Sequence, residues 1–250
     1  MNAPMSTFSV MRLIGRQLVL LTRDRQWLFW NVAFFPILLL IFVGVLSGGD
    51  ASVRVRLTAG LVTMSVVANA LFSIAVGLTA ARERGVFRRY SLAPIAASGP
   101  VIATVIARAL IVFGVAVLQV IVARTAFGVT WSGGALSWMS VLVLGTAAFA
   151  AIGFAVAASA RAPHVANTMA NLVFIPMMAL GGIALPAAMM PTTWAKVYWV
   201  LPVATIAEGL MGAFVRGETV VDNLVRLGYL AVWTVVPAAW GAYRWRRREL

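Results

Sequence analysis

Cysteine is absent from the 250 residues, which excludes disulfides, thiol catalysis and thiolate metal sites. Histidine and lysine each occur once, as His164 and Lys196. His164 stands in Arg161-Ala162-Pro163-His164 with no second histidine or acid pair nearby, so it reads as a solvated loop residue and not a metal ligand. The single lysine follows Trp194-Ala195, so the chain has no G-x-x-x-x-G-K-[ST] loop to cradle a nucleotide. Charge is scarce at 11% of residues, where soluble domains carry about 25%. With 62% apolar residues and a mean hydropathy of +0.95, too few polar side chains remain to cover a soluble surface. A soluble globular protein, a disordered chain and a secreted disulfide scaffold are all excluded, and no catalytic constellation is left.

What is present is a set of long apolar runs separated by short basic clusters. The net charge of +13 comes from 20 Lys+Arg against 7 Asp+Glu, 19 of the cations being arginine, a bias typical of high-GC bacterial genomes. Cations confined to connectors mark a multi-spanning membrane protein and not a nucleic-acid binder. A helical crossing takes about 20 mostly apolar residues. Six are predicted, at about 28–47, 57–80, 101–123, 136–159, 165–185 and 226–243. The turn Thr130-Trp131-Ser132-Gly133-Gly134 divides the 36 uncharged residues between Arg124 and Arg161. Ahead of the first span, residues about 6–26 read as an interfacial amphipathic helix, not a cleavable signal, with Met11, Ile14, Leu18 and Leu21 on one face.

Parity settles the remaining segment. Val197 to Val215 is long enough to cross but contains Pro202 and Glu208. Both termini carry four arginines, so both belong in the cytoplasm and the number of crossings is even. Six crossings leave 13 cations inside, 6 outside and Arg108 within a span. The 186–224 segment is then external, with re-entrant or interfacial helices between spans five and six.

None of the seven acids falls in a predicted span, which argues against a self-powered secondary transporter. Arg108, about two turns inside span three, is expected to snorkel to the inner interface, with an anion site as the alternative. Small pairs in span four, such as Ala147/Ala151 and Gly153/Ala157, predict close helix packing. Asn167 and Asn171 share a face of span five and are expected to bond to a neighbouring helix.

The most informative stretch follows span two: Arg82-Glu83-Arg84-Gly85, then Arg88-Arg89 and Pro94. Together with the six-span plan and the outer Pro186, Pro191 and Pro202 segment, it resembles the permease subunits of bacterial ABC-2-type exporters, including the daunorubicin-resistance type. Gly85-Val86-Phe87-Arg88 departs from that family's frequent Gly-Thr-Leu-Glu. The resemblance implies an all-α membrane protein with one transmembrane domain over residues 1–250. It implies a dimer with a second permease copy or a homologous permease, set among membrane lipids in the bacterial inner membrane. Two separate ABC ATPase subunits would bind ATP and Mg, with no cofactor in this chain. Arg82, Glu83, Arg84, Gly85, Arg88, Arg89 and Pro94 would couple to the ATPase. A carboxylate at Glu83 could cap the first turn of the coupling helix, or pair with Arg82, Arg84 or a cation on the ATPase. Phe34, Phe35, Asn69, Asn167 and Asn171 would line the pathway or the dimer interface, and Pro191, Pro202 and Glu208 an external gate. The implied cargo is a drug, a lipid or another amphipathic molecule. A secondary transporter or channel without an ATPase is the alternative.

Overall fold

The computed structural model describes residues 7–87, 98–181, 198 and 200–249. Among these the regular structure is helical throughout, with no strand. The helices are α1 (Thr7–Arg23), α2 (Arg25–Leu28), a π turn (Phe29–Ala33), α3 (Phe34–Leu46), α4 (Ala51–Glu83), α5 (Ser98–Phe127), α6 (Ala135–Ser159), α7 (Pro163–Leu180), α8 (Pro202–Met211), a second π turn (Gly212–Arg216) and α9 (Leu224–Glu249).

Five helical stretches among the described residues are long and apolar enough to cross a membrane: Phe29–Leu46, Ala51–Glu83, Gly99–Phe127, Ala135–Ser159 and Leu224–Arg247. They match five of the six predicted spans. The fifth predicted span differs. Its helix, α7, ends at Leu180 and carries His164, Asn167, Thr168 and Asn171 in its first half, which dilutes its apolar character. His164 also lies in the first turn of that helix, after Pro163 at the start, and not in a loop.

α6 is the hub of the bundle, with 72% of its apolar window buried, and it packs most extensively against α9 and α4. Its small residues permit this. A Cβ on Gly153 would approach the Leu71 carbonyl oxygen to 3.0 Å, so α6 rests on the backbone of α4. Phe149, Leu142, Leu71 and Ile74 fill the core on either side of this contact. The outward faces of α3 and α9 are apolar and exposed, including Ile41, Val45, Val232 and Val236. In a membrane such faces meet lipid or another apolar helix.

The π turn in the first span frees backbone carbonyls that a regular helix would use. Two buried amides from neighbouring helices bond to the first span: Asn69 Nδ2 donates to the Asn31 carbonyl in the π turn at 3.1 Å, and Gln119 Nε2 to the Phe35 carbonyl in α3 at 3.2 Å. Asn69 and Phe35 are both buried within this chain. On α1 the half-buried residues include Leu13, Ile14, Leu18 and Leu21, whereas Met11, expected on that face, is exposed.

Candidate functional site

Two ends of the bundle carry polar chemistry. At the first, α4 ends and the Arg-Glu-Arg-Gly motif begins. Gly85 adopts a left-handed φ of 69° and its N–H donates to the Arg82 carbonyl at 3.0 Å, closing the helix with a glycine cap. Glu83 is thus the last residue of α4, at the negative end of its dipole, while residues 88–97 of the expected coupling segment lie outside the described residues. Its side chain and that of Arg84 are exposed.

Arg82 turns the other way. Its Nη1 donates to the Ala157 carbonyl at 3.3 Å and its Nη2 to the Ala160 carbonyl, capping the carboxyl end of α6. The same guanidinium lies 5.3 Å from the Trp245 ring of α9. Trp245 also meets Phe87 edge-on at 5.6 Å and Phe154 at 5.8 Å. The turn is therefore stapled to two helices by Arg82 and Phe87, while Glu83 and Arg84 remain exposed. Trp245 had no signal in the sequence beyond its apolar character. Of the other predicted coupling residues, Arg88, Arg89 and Pro94 lie outside the described residues, as does Pro191 of the predicted gate.

Beside the turn a cavity of about 920 Å³ opens between α1, the first span, α4 and α5. Arg108 reaches it from within α5, and does not snorkel along its own helix to the end of the bundle. Its Nη1 donates to the Ser73 carbonyl at 2.8 Å, and its guanidinium sits in a notch on α4 left by Gly77. A Cβ at residue 77 would come within 2.5 Å of Arg108 Cζ. Asn167 also lines the cavity, whereas Asn171 Nδ2 donates to the Asn167 carbonyl at 3.0 Å, a bond within α7 and not between helices. Phe34, half-buried, meets Trp30 at a tilt and Phe35 edge-on on the first span.

The opposite end is locked around Glu218. Arg216 Nε donates to its carboxylate at 2.6 Å and Arg226 Nη1 donates to the other oxygen. Arg216 also reaches Glu208 Oε2 at 3.4 Å, and Tyr198 donates its hydroxyl to Glu208 Oε1 at 3.0 Å. The Glu218 carbonyl accepts from Ser137 Oγ at 2.7 Å, tying the segment to α6. Glu208 and Pro202 both belong to α8, but Pro202 opens that helix at its first turn, where its missing N–H costs nothing, and does not interrupt it. At ten residues α8 rises about 15 Å, half the hydrocarbon thickness.

Burial raises the Glu218 carboxyl pKa, but the hydrogen bonds from Arg216 and Arg226 outweigh it and hold it below its usual 4.5. A carboxylate depressed in the folded state stabilises fully above its unfolded value, and that stability is lost as pH falls through the folded one. Melting temperature is therefore expected to decline between about pH 5 and pH 3, and less steeply in Glu218→Gln. Thermal scans across that range check it. An identical acid decline in the variant would remove Glu218 from the account; Asp50 and Asp222, also held low, supply the remainder.

A bundle of apolar helices with a capped basic turn at one end and an ion-paired hairpin at the other defines a polytopic helical membrane protein. The family model for the ABC-2 type transporter matches residues 9–215, and the chain belongs to that family. No curated protein matches the chain. It is a membrane transport component of an ABC-type system, a class that normally works with ATPase partners.

Proposed function

We propose that this chain is the permease subunit of an exporter driven by two separate ATPase subunits, paired with a second copy or a sister permease. Its cargo is a drug, a lipid or another amphipathic molecule. In this reading α7 supplies a sixth crossing together with residues beyond it, the 186–224 segment is external and re-entrant, and both termini face the cytoplasm of a bacterial cell.

The observation that carries the reading is the form of the turn after α4. Arg82 and Phe87 anchor it to α6 and α9, and Glu83 and Arg84 are exposed on it. An anchored turn with exposed charges suits docking into a groove of a partner that moves on ATP hydrolysis. If Glu83 is desolvated against that partner, its loss weakens the interface by about 10-fold or more. Glu83→Ala is expected to leave insertion intact and to lower both ATP turnover and efflux of the reconstituted complex. Unchanged rates in a normally assembled complex would overturn the coupling role. Efflux that persists without any ATPase would point to a channel or secondary transporter instead.

A further inference from the structure

The cavity beside the capped turn has a composition that transport alone does not explain. A charged side chain inside a span is expensive, and where one occurs it faces a polar cavity or a partner. Arg108 sits ten residues into α5, about 15 Å from its start. The neighbouring helix accommodates it in two ways: the Ser73 carbonyl takes one N–H, and Gly77 leaves the space its guanidinium occupies. Ser73 contributes a neutral acceptor to one of the guanidinium N–H groups.

Among the described residues, the charged groups lining the cavity are Arg84, Arg108 and Asp24, a net charge of +1. The walls are mixed. Trp30, Phe72 and Phe87 supply aromatic faces, and polar side chains such as Gln17 and Asn31 stand among them. Trp30 lines the cavity and keeps about half of its surface exposed, 53%. A pocket of about 920 Å³ with two arginines, one acid and aromatic walls fits a small anionic group attached to an apolar body.

We infer that this cavity binds an amphiphile through its anionic headgroup, a phosphate or carboxylate, with Arg108 as the residue that reads the charge and Arg84 assisting at the mouth. The inference rests on the transport reading for its purpose, since it names the chemical class of the cargo or of a lipid bound beside it. Binding itself needs no ATPase, so the two stand or fall separately.

The test uses the full chain in phosphatidylcholine nanodiscs, without ATPase. The probes are a dansyl-tagged twelve-carbon alkyl phosphate and the matching uncharged alcohol, followed by energy transfer from tryptophan. The phosphate probe is expected to bind more tightly than the alcohol, and Arg108→Gln to weaken it about 10-fold. Arg84→Gln is expected to weaken it about 3-fold by removing the second cation. Gly77→Ala keeps every charge but fills the notch, and is expected to weaken binding by displacing the guanidinium. Should Arg108→Gln fail to insert, the last two variants carry the test. Equal affinity for the alcohol, or unchanged phosphate-probe affinity in the variants that insert, would overturn the inference. So would full displacement by an equal concentration of inorganic phosphate, which would make the site one for a free anion. None of these outcomes bears on ATP-driven efflux, which is measured with the reconstituted complex.

Discussion

Gly133→Ala is expected to produce one of the two largest losses of stability in the molecule. The Gly133 N–H donates to the Ala213 carbonyl at 2.9 Å, bringing the turn before α6 against the second π turn. A Cβ at this position would run into the Glu218 carbonyl oxygen and approach the Ala213 carbonyl oxygen to 3.1 Å. Both obstacles are backbone, so no side-chain rotation relieves them. The Glu218 carbonyl is also held by Ser137, and its N–H donates to the Gly212 carbonyl at 3.0 Å, which leaves the segment little room to retreat. Overpacking of this kind costs about 1–3 kcal/mol, or roughly 3–10 °C in melting temperature for a chain of this size. Gly114→Ala is the control: its Cβ would meet nothing within 4 Å, and inside a helix the change stabilises by up to about 1 kcal/mol. Tryptophan fluorescence during heating in detergent measures both. Equal melting temperatures for Gly133→Ala and the parent would mean that the hairpin shifts freely.

Arg82→Ala is expected to be comparably damaging, by a different route. The side chain donates to two carbonyls at the carboxyl end of α6 and stacks on buried Trp245. Charge-assisted hydrogen bonds contribute about 1.5–3 kcal/mol and a desolvated cation–π contact about 2. These terms overlap in one side chain, so a net loss of about 2–4 kcal/mol is expected. Arg82→Lys is expected to recover less than half, because an ammonium group cannot bridge two carbonyls and lie flat on an indole at once. Heating curves give the stability, and proteolysis between α4 and α5 reports whether the turn has come loose. A melting temperature unchanged in Arg82→Ala would show that the staple contributes nothing.

Much of the bundle was legible in the runs of uncharged residues, because hydropathy summed over about 20 positions is insensitive to local detail. The helix ends were less so. α4 begins six residues before its apolar stretch suggests, because Asp50 caps it by accepting from the Ser52 N–H at 2.7 Å. Pro202 carried a signal for a helix start that was equally readable as an interruption, and local sequence alone does not separate the two. Arg108 was recognisable as a buried cation, but its direction depends on Gly77 and Ser73, more than thirty residues away on another helix. The Arg82 staple was hidden for the same reason, since Ala157 and Trp245 acquire their role only through packing. Asn69 was visible as a polar residue in a span, while its acceptor, the Asn31 carbonyl in the π turn, lies 38 residues away on another helix.

α4 runs uninterrupted from its Asp50 cap to its Gly85 cap, 33 residues or about 50 Å, without a proline. α7 and α9 each contain an internal proline, at Pro176 and Pro237, and the first span is broken by its π turn. α4 is therefore the molecule's strut. At its far end Arg54 grips the Phe127 carbonyl at 2.9 Å and the Gly49 carbonyl at 2.7 Å, anchoring it to the neighbouring helix termini. An axial thrust on the Gly85 turn meets no joint along the way that would absorb it. Displacement at one face of the bundle then arrives at the other nearly undiminished, and the compliance of the molecule is left to the proline-bearing helices around that strut.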